Sequence, residues 1–339
     1  MISGWIVLDK PLGLGSTQAV AAVKRNLREA GFGKTTKVGH GGTLDPLATG
    51  VLPIALGEAT KLAGRMLDAS KAYEFTVRFG EETDTLDLEG TVIATSDARP
   101  TMVEVEAVLP RFTGPIAQVP PAYSALKVDG ERAYDLARKG EAVELASRNV
   151  TIHALEILPG TGRGGADEVG GGEGLRAHPT SREDARPFQH PAGGPPPHAG
   201  EDQITFLANV SKGTYIRSLA RDIAHALGTC GTVTMLRRAK AGPFDLGHAI
   251  SLDKLNEIGE GASLEQILLP LEAGLDDIPA IDLDPEQARA VRQGRVLTGL
   301  PQDDGLHWAR LGHTPVALME LTGGDARVVR GFNLPDVAE

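Results

Sequence analysis

Residues Gly39-His40-Gly41-Gly42-Thr43-Leu44-Asp45-Pro46-Leu47-Ala48-Thr49-Gly50 set one carboxylate in a glycine-lined turn. Gly39, Gly41 and Gly42 precede the acid, so the backbone there can take conformations closed to other residues and lie close against a ligand. Pro46 fixes its own φ and disfavours the helical region for Asp45, which implies an extended or turn geometry at the acid. A carboxylate in a stiff loop among small residues suits a nucleophile. The competing reading is an Asx turn that caps the next helix, and this stretch alone leaves both open.

The flanks read as a mixed fold. Upstream, Trp5–Pro11 forms a short buried strand closed by proline, and Ser16-Thr17 opens a helix with Val20, Val23 and Leu27 near helical spacing. Downstream, Leu52–Leu56 reads as a buried segment and Glu58–Leu67 as a helix. Tyr73, Phe75, Val77 and Phe79 share one face of a strand by their alternation. Met102–Phe112 and Ala133–Lys139 read as helices, Val150–Leu158 and Ile204–Val210 as strands, and Tyr215–Leu227 as an amphipathic helix. Strands and helices without a regular βαβ repeat predict an α+β domain. Two later segments, Pro315–Glu320 and Ala326–Phe332, read as a strand pair joined by Leu321–Asp325.

Between the strands at 150–158 and 204–210, residues 159–203 break the pattern with Gly170-Gly171-Gly172, Pro195-Pro196-Pro197 and many charges. Such composition buries too little apolar surface to order itself, so a mobile surface insertion is expected. His178, His190 and His198 lie in it without metal-ligand spacing.

A chain of 339 residues can bury one large core, or one core and a small second domain. It has no apolar run of membrane-spanning length, and its start shows neither a basic n-region nor a long apolar stretch. Cys230 is the only cysteine, so no internal disulfide or multi-cysteine zinc site forms, and a reducing cytoplasm is the expected compartment. The net charge of -11 argues at first against a nucleic-acid partner. The acidity, however, concentrates in the insertion and beyond residue 250, leaving the rest balanced. Lys24, Arg25, Arg28, Lys34 and Lys37 face only Glu29 nearby, a pattern that fits phosphate contact and a solvated helix face equally.

Gly39–Lys61 (GHGGTLDPLATGVLPIALGEATK) resembles the signature of the TruB family, the bacterial tRNA pseudouridine-55 synthases. Gly4–Gly15, Lys71–Gly90, Val119–Gly140 and Val210–Leu219 fall in the order that family has them. The likeness spans residues 2–250 apart from the insertion. It implies a catalytic domain over 1–250 with a mixed, mainly antiparallel central sheet of pseudouridine-synthase type and flanking helices. Residues 251–339 are then an acidic linker and a small β-rich module like a PUA domain. The implied activity is isomerisation of uridine 55 in the tRNA T loop by base flipping, without cofactor or metal. The implied partner is the T-arm at the tRNA elbow, bound by a cytoplasmic monomer with no membrane and no obligatory protein partner.

The resemblance also assigns residues. Asp45 matches the catalytic aspartate and Arg217 the arginine that pairs with it, whose guanidinium would orient the carboxylate. Tyr73 matches the tyrosine that stacks on the target base and is proposed to help remove the C5 proton. Tyr215 and Leu236 match positions lining the uracil pocket, and Lys10 and Lys61 lysines that position backbone or loops near it. His40 matches the histidine that pushes into the T-loop stack when the uridine is extruded. Read without the family, Arg217 is equally an exposed helix arginine, Tyr73, Tyr215 and Leu236 core residues, and His40 a turn residue. Two departures stand out: Val210, where some relatives carry cysteine, and the insertion, which enters the strand leading to Arg217.

Three other classes compete. A non-catalytic module that remodels the tRNA elbow would need none of the catalytic groups. A phosphate-loop enzyme fails because no glycine lies five residues before Gly33. A two-carboxylate glycosidase would need a second acid, for which Asp84 and Asp87 are available, although both read better as turn residues.

Overall fold

The computed structural model describes residues 2–159 and 201–334 except 33, 34, 125, 129, 142 and 144. The expectation of a mobile insertion, its three histidines included, therefore falls almost wholly outside the described residues.

Trp5 and Val7 point to one side of strand β1 (Gly4–Lys10) and Ile6 and Leu8 to the other, and all four are buried. A strand apolar on both faces belongs inside layers, and β1 pairs antiparallel with β3 (Ala48–Leu56), which is buried almost throughout. Between them in sequence come α1 (Ser16–Glu29) and the short β2 (Val38–His40), which pairs with β3. The sheet continues through β4 (Lys71–Phe79), β5 (Gly114–Gln118), β6 (Arg148–Ile157), β7 (Gln203–Val210) and β8 (Gly231–Ala241) in the spatial order β1-β3-β8-β4-β7-β6-β5. Every pairing among these is antiparallel except β8 with β3, where Leu236 lies opposite Ala48 and Arg238 opposite Gly50. The mixed, mainly antiparallel sheet expected above is present.

Helices cover this sheet because their apolar stripes match its faces. Phe75, Val77 and Phe79 of β4 pack with Leu219 and Ile223 of α3 (Ile216–Ala226) and with Val105 of α2 (Met102–Val108). Ile6, Leu52 and Ile54 pack with Val23 and Leu27 of α1 and Leu255 of α4 (Leu252–Gly259). Tyr73 packs against both clusters, which puts it at their junction. The outer edge of β1 is closed by exchanges between Trp5 and Leu269 and between Val7, Asp9 and Ile250.

The C-terminal strands β9 (Ala280–Asp282), β10 (Gly305–Leu311), β11 (Thr314–Thr322) and β12 (Asp325–Gly331) form a separate sheet in sequence order, with α5 (Pro285–Arg292) packed on it. This is the β-rich module anticipated from the strand pair at 315–332. Trp308, Leu318 and Phe332 reach out of it into the cluster that holds Trp5, Phe244 and Leu271. The indoles of Trp5 and Trp308 donate to the carbonyls of Leu271 and Ile278, each at 3.1 Å.

The central strand β8 has no counterpart among the segments read from sequence. Its stretch GTVTMLRRAKA carries Arg237, Arg238 and Lys240, which break the apolar alternation that marks a strand. The structure resolves the conflict by giving both arginines partners and leaving Lys240 exposed. Arg237 forks onto both oxygens of Asp9 at 3.1 and 2.8 Å, and Arg238 is buried against backbone carbonyls.

Candidate active site

The segment Gly42–Pro46 crosses the end of β3 with every carbonyl held. Arg238 donates to Gly42 and Thr43 at 3.3 Å each, and Nε of the same guanidinium donates to Val51 at 2.7 Å. The Ser16 hydroxyl donates to the Leu44 carbonyl at 2.9 Å and accepts from the Leu44 N–H at 2.8 Å. The Asp45 carbonyl accepts from Ala48, and that of Pro46 from Gly13 and from the Lys10 ammonium. A loop with its backbone tied at each residue holds its side chains in place without strand or helix. Gly50 is part of the same device. Its φ of +98° is closed to most residues, and a Cβ there would lie 2.3 Å from the Arg238 carbonyl oxygen.

Asp45 projects from this frame to accept from Arg217 Nη2 at 2.8 Å. The carboxylate thus meets a guanidinium, which sets aside the helix-cap reading. Arg217, in the first turn of α3, is far from an exposed helix residue: its side chain is 7% exposed, against 43% for Asp45. The acid is open to a ligand while its partner is sealed in. Arg217 also donates to the carbonyls of Thr85 at 2.7 Å and Tyr123 at 3.0 Å, and pairs with Asp87 at 3.2 Å.

Asp87 in turn accepts from the Thr85 hydroxyl at 2.6 Å and the Glu89 N–H at 3.0 Å. Between Thr85 and Asp87, Leu86 adopts φ +64°, the only non-glycine residue with positive φ among those described. Such a conformation costs of order 1–3 kcal/mol and persists only where the surroundings impose it. Here it turns the Thr85 carbonyl and the Asp87 carboxylate onto one guanidinium.

A cleft of about 360 Å³ opens beside the pair. That lies within the roughly 300–1,000 Å³ usual for small-molecule sites. Asp45, Tyr73, Tyr215, Arg217 and Leu236 all line it, so five of the residues singled out from sequence meet in one place. Tyr215 is clamped by the buried Gln118 amide, which accepts from its N–H at 2.8 Å and donates to its carbonyl at 3.1 Å. The Arg148 guanidinium lies over the Tyr215 ring, 4.7 Å from its centroid. A smaller cavity of about 90 Å³, lined by Leu12, Leu88, Val233 and Met235, shares Asp45, Arg217 and Leu236 from another side.

The other three sequence candidates lie outside the cleft lining. Lys10 is fully buried behind the loop and donates to the carbonyls of Pro11, Leu14 and Pro46. Burial pulls its ammonium down to about 8, against an opposing pull from Asp45. His40 ends β2, with its Nδ1 facing the Gly42 N–H at 3.4 Å. Burial and the Arg238 charge hold His40 below its usual 6.5. Lys61, expected near the pocket, instead joins Glu58 at 2.6 Å and the Gly331 carbonyl at 2.9 Å, at the seam with the C-terminal sheet.

Ser16, Gln118, Arg148 and Arg238 were not singled out from sequence, and Asp87 only as a turn residue or a spare second acid, not as a partner of Arg217. The sole signal for Ser16 is its place at a helix start. Among the described residues, no group of three His, Cys, Asp or Glu side chains gathers as a metal site would need, and no helix is long and apolar enough to cross a membrane.

Residues 29–167 match the family model described as TruB family pseudouridylate synthase (N terminal domain), and residues 217–276 match tRNA pseudouridylate synthase B C-terminal domain. The tRNA pseudouridine synthase B of Novosphingobium aromaticivorans is 66% identical over 339 residues, covering 100% of both chains. That of Zymomonas mobilis is 53% identical over 332 residues, 98% of this chain and 96% of the other. Among solved structures, a chain of a Cbf5-Nop10-Gar1 complex superposes with a TM-score of 0.66 at 24% identity, over 98% of this chain and 85% of that one, a likeness of fold.

Proposed function

The chain belongs to the TruB family of pseudouridylate synthases, and from that premise we propose that it isomerises uridine 55 in the T loop of tRNA, using Asp45 and no cofactor. The observation that carries the reading is the Asp45 carboxylate, open to the cleft and oriented at 2.8 Å by a guanidinium that is itself sealed in.

The reaction breaks N1–C1′ of the uridine, turns the base and forms C5–C1′. The C5 proton leaves and N1 ends protonated, so the product is an isomer and no electrons are exchanged. A carboxylate fixed in direction supplies the nucleophile or base such a sequence needs. Arg217 keeps Asp45 aimed, and Thr85, Asp87 and Tyr123 keep Arg217 aimed. Tyr73 offers a ring for the base, with Leu236 and Tyr215 enclosing it. A base stacked in a folded loop must leave the stack to enter this cleft. His40, on the approach to the Asp45 loop, is placed to fill the gap left behind, and burial keeps it in the neutral form that suits stacking.

The test is to treat an unmodified tRNA transcript with the protein and map pseudouridine along the whole chain. Conversion at position 55 alone supports the reading. Conversion elsewhere, or none by folded protein that binds the transcript, overturns it.

A further inference from the structure

The cleft holds one acid, Asp45, and four cations, Lys71, Arg148, Arg217 and Arg238. Arg217 is matched by Asp45 and Asp87, and Arg148 lies on the Tyr215 ring and donates to the Gly213 carbonyl. Lys71 and Arg238 are different. Both are buried, and neither has a carboxylate within ion-pair distance among the described residues.

Lys71 Nζ donates to the carbonyls of Leu67 and Ala69 at 2.6 Å each, and an ammonium has three N–H groups. Arg238 makes three donations to carbonyls from a guanidinium with five N–H groups. Both line the cleft from paired strands: Arg238 of β8 lies opposite Tyr73 of β4, two residues along that strand from Lys71. The Arg238 and Lys212 charges both act on Lys71, opposed in part by Asp68, which pairs with Lys212 at 3.0 Å. Like charges buried side by side oppose folding unless an anion joins them. Backbone carbonyls take part of their hydrogen-bonding capacity and leave their charge in place.

We propose that this end of the cleft, Lys71 with Arg238, seats a phosphate flanking the uridine that enters beside Asp45. The proposal rests on the pseudouridine synthase reading, which supplies the polynucleotide. Lys71 and Tyr73 are two residues apart on β4, so they share a face, and a base against Tyr73 has its own backbone within the same cleft. Arg238 holds the Gly42 and Thr43 carbonyls with the same guanidinium, so a seated phosphate also bears on the frame of Asp45. Lys71 at the end of the short helix Ala63–Asp68 reads otherwise as a cap for its last carbonyls. A cap is indifferent to the charge of the RNA.

The test uses T-arm stem-loop RNAs in which the linkage 5′ or 3′ of the target uridine is a neutral methylphosphonate. Each probe has a control differing only in that linkage, with a 2′-O-methyl group on the preceding residue in both. The wild type should bind at least one probe about tenfold more weakly than its control. Lys71→Met should bind that control about tenfold more weakly, and lose less than about twofold more on the probe. Equal binding of both probes and their controls by the wild type overturns the proposal, whether or not the variant folds. So does a Lys71→Met loss that is the same on probe and control, as a cap would give. Turnover of the unsubstituted stem-loop by the wild type tests the enzyme reading separately.

Discussion

Two buried arginines stand at opposite sides of the Asp45 loop and do different work. Arg217 meets two carboxylates and two carbonyls, while Arg238 meets three carbonyls and, among the described residues, no carboxylate. The first arrangement neutralises its charge and fixes the direction of one reactive side chain. The second fixes the course of the backbone and leaves a positive field at the cleft. Direction and position of Asp45 are thus set by separate groups, one acting on its carboxylate and the other on the residues before it. Their separate loss should be distinguishable.

The contrast breaks first at Arg217. Arg217→Met should lower kcat by about 10³-fold with little change in KM, since it disorients the carboxylate and strands two acids. A KM effect of the same size would mean that Arg217 binds substrate instead. Asp87→Asn, which acts on Asp45 only through Arg217, should cost about 10² in kcat, and equal activity would cut Asp87 out of the chain of contacts. On the backbone side, Ser16→Ala removes both ties to Leu44 and should lower kcat about tenfold and stability by about 1–2 kcal/mol, read by turnover and by thermal melting. Gly50→Ala should lower stability by about 1–3 kcal/mol, because φ +98° and the Arg238 backbone leave no room for a Cβ.

The smallest effect is one of pH. Burial and the neighbouring Arg238 and Lys212 charges pull Lys71 from 10.5 to about 8, with Asp68 opposing. Below about 8 the lysine is charged in both folded and unfolded chains, and its burial opposes folding in full. From about 8 to 10.5 the unfolded chain holds the extra proton, so this contribution turns more favourable as pH rises. RNA affinity should move the other way, weakening above about 8 as the seat loses its charge. The fully buried Lys10 shifts to the same region, so Lys71→Arg identifies the source. In that variant the alkaline weakening of RNA binding should vanish, and its persistence would assign the effect elsewhere.

Much of this site was legible because glycine and proline leave local marks. The turn around Asp45 follows from Gly41, Gly42 and Pro46, and the face carrying Tyr73 from its alternation with Phe75 and Val77. Arg217 was legible through its motif, but its burial was not, since that depends on Asp87 and Thr85 more than a hundred residues away. The strand β8 was hidden for the same kind of reason. A run of arginines reads as surface until the fold supplies Asp9 on one side and three carbonyls on the other. Lys61 shows the converse, a lysine inside the motif that the fold turns toward Gly331 and the C-terminal sheet.

Tritium release from C5-labelled uridine in an unmodified tRNA T-arm, by the wild type and by Asp45→Asn side by side, decides whether Asp45 is the catalytic acid. Release by the wild type, none above background by the variant, and similar RNA affinity for both are expected. Release by Asp45→Asn at the wild-type rate, or none by wild-type protein that is folded and binds the RNA, would contradict it.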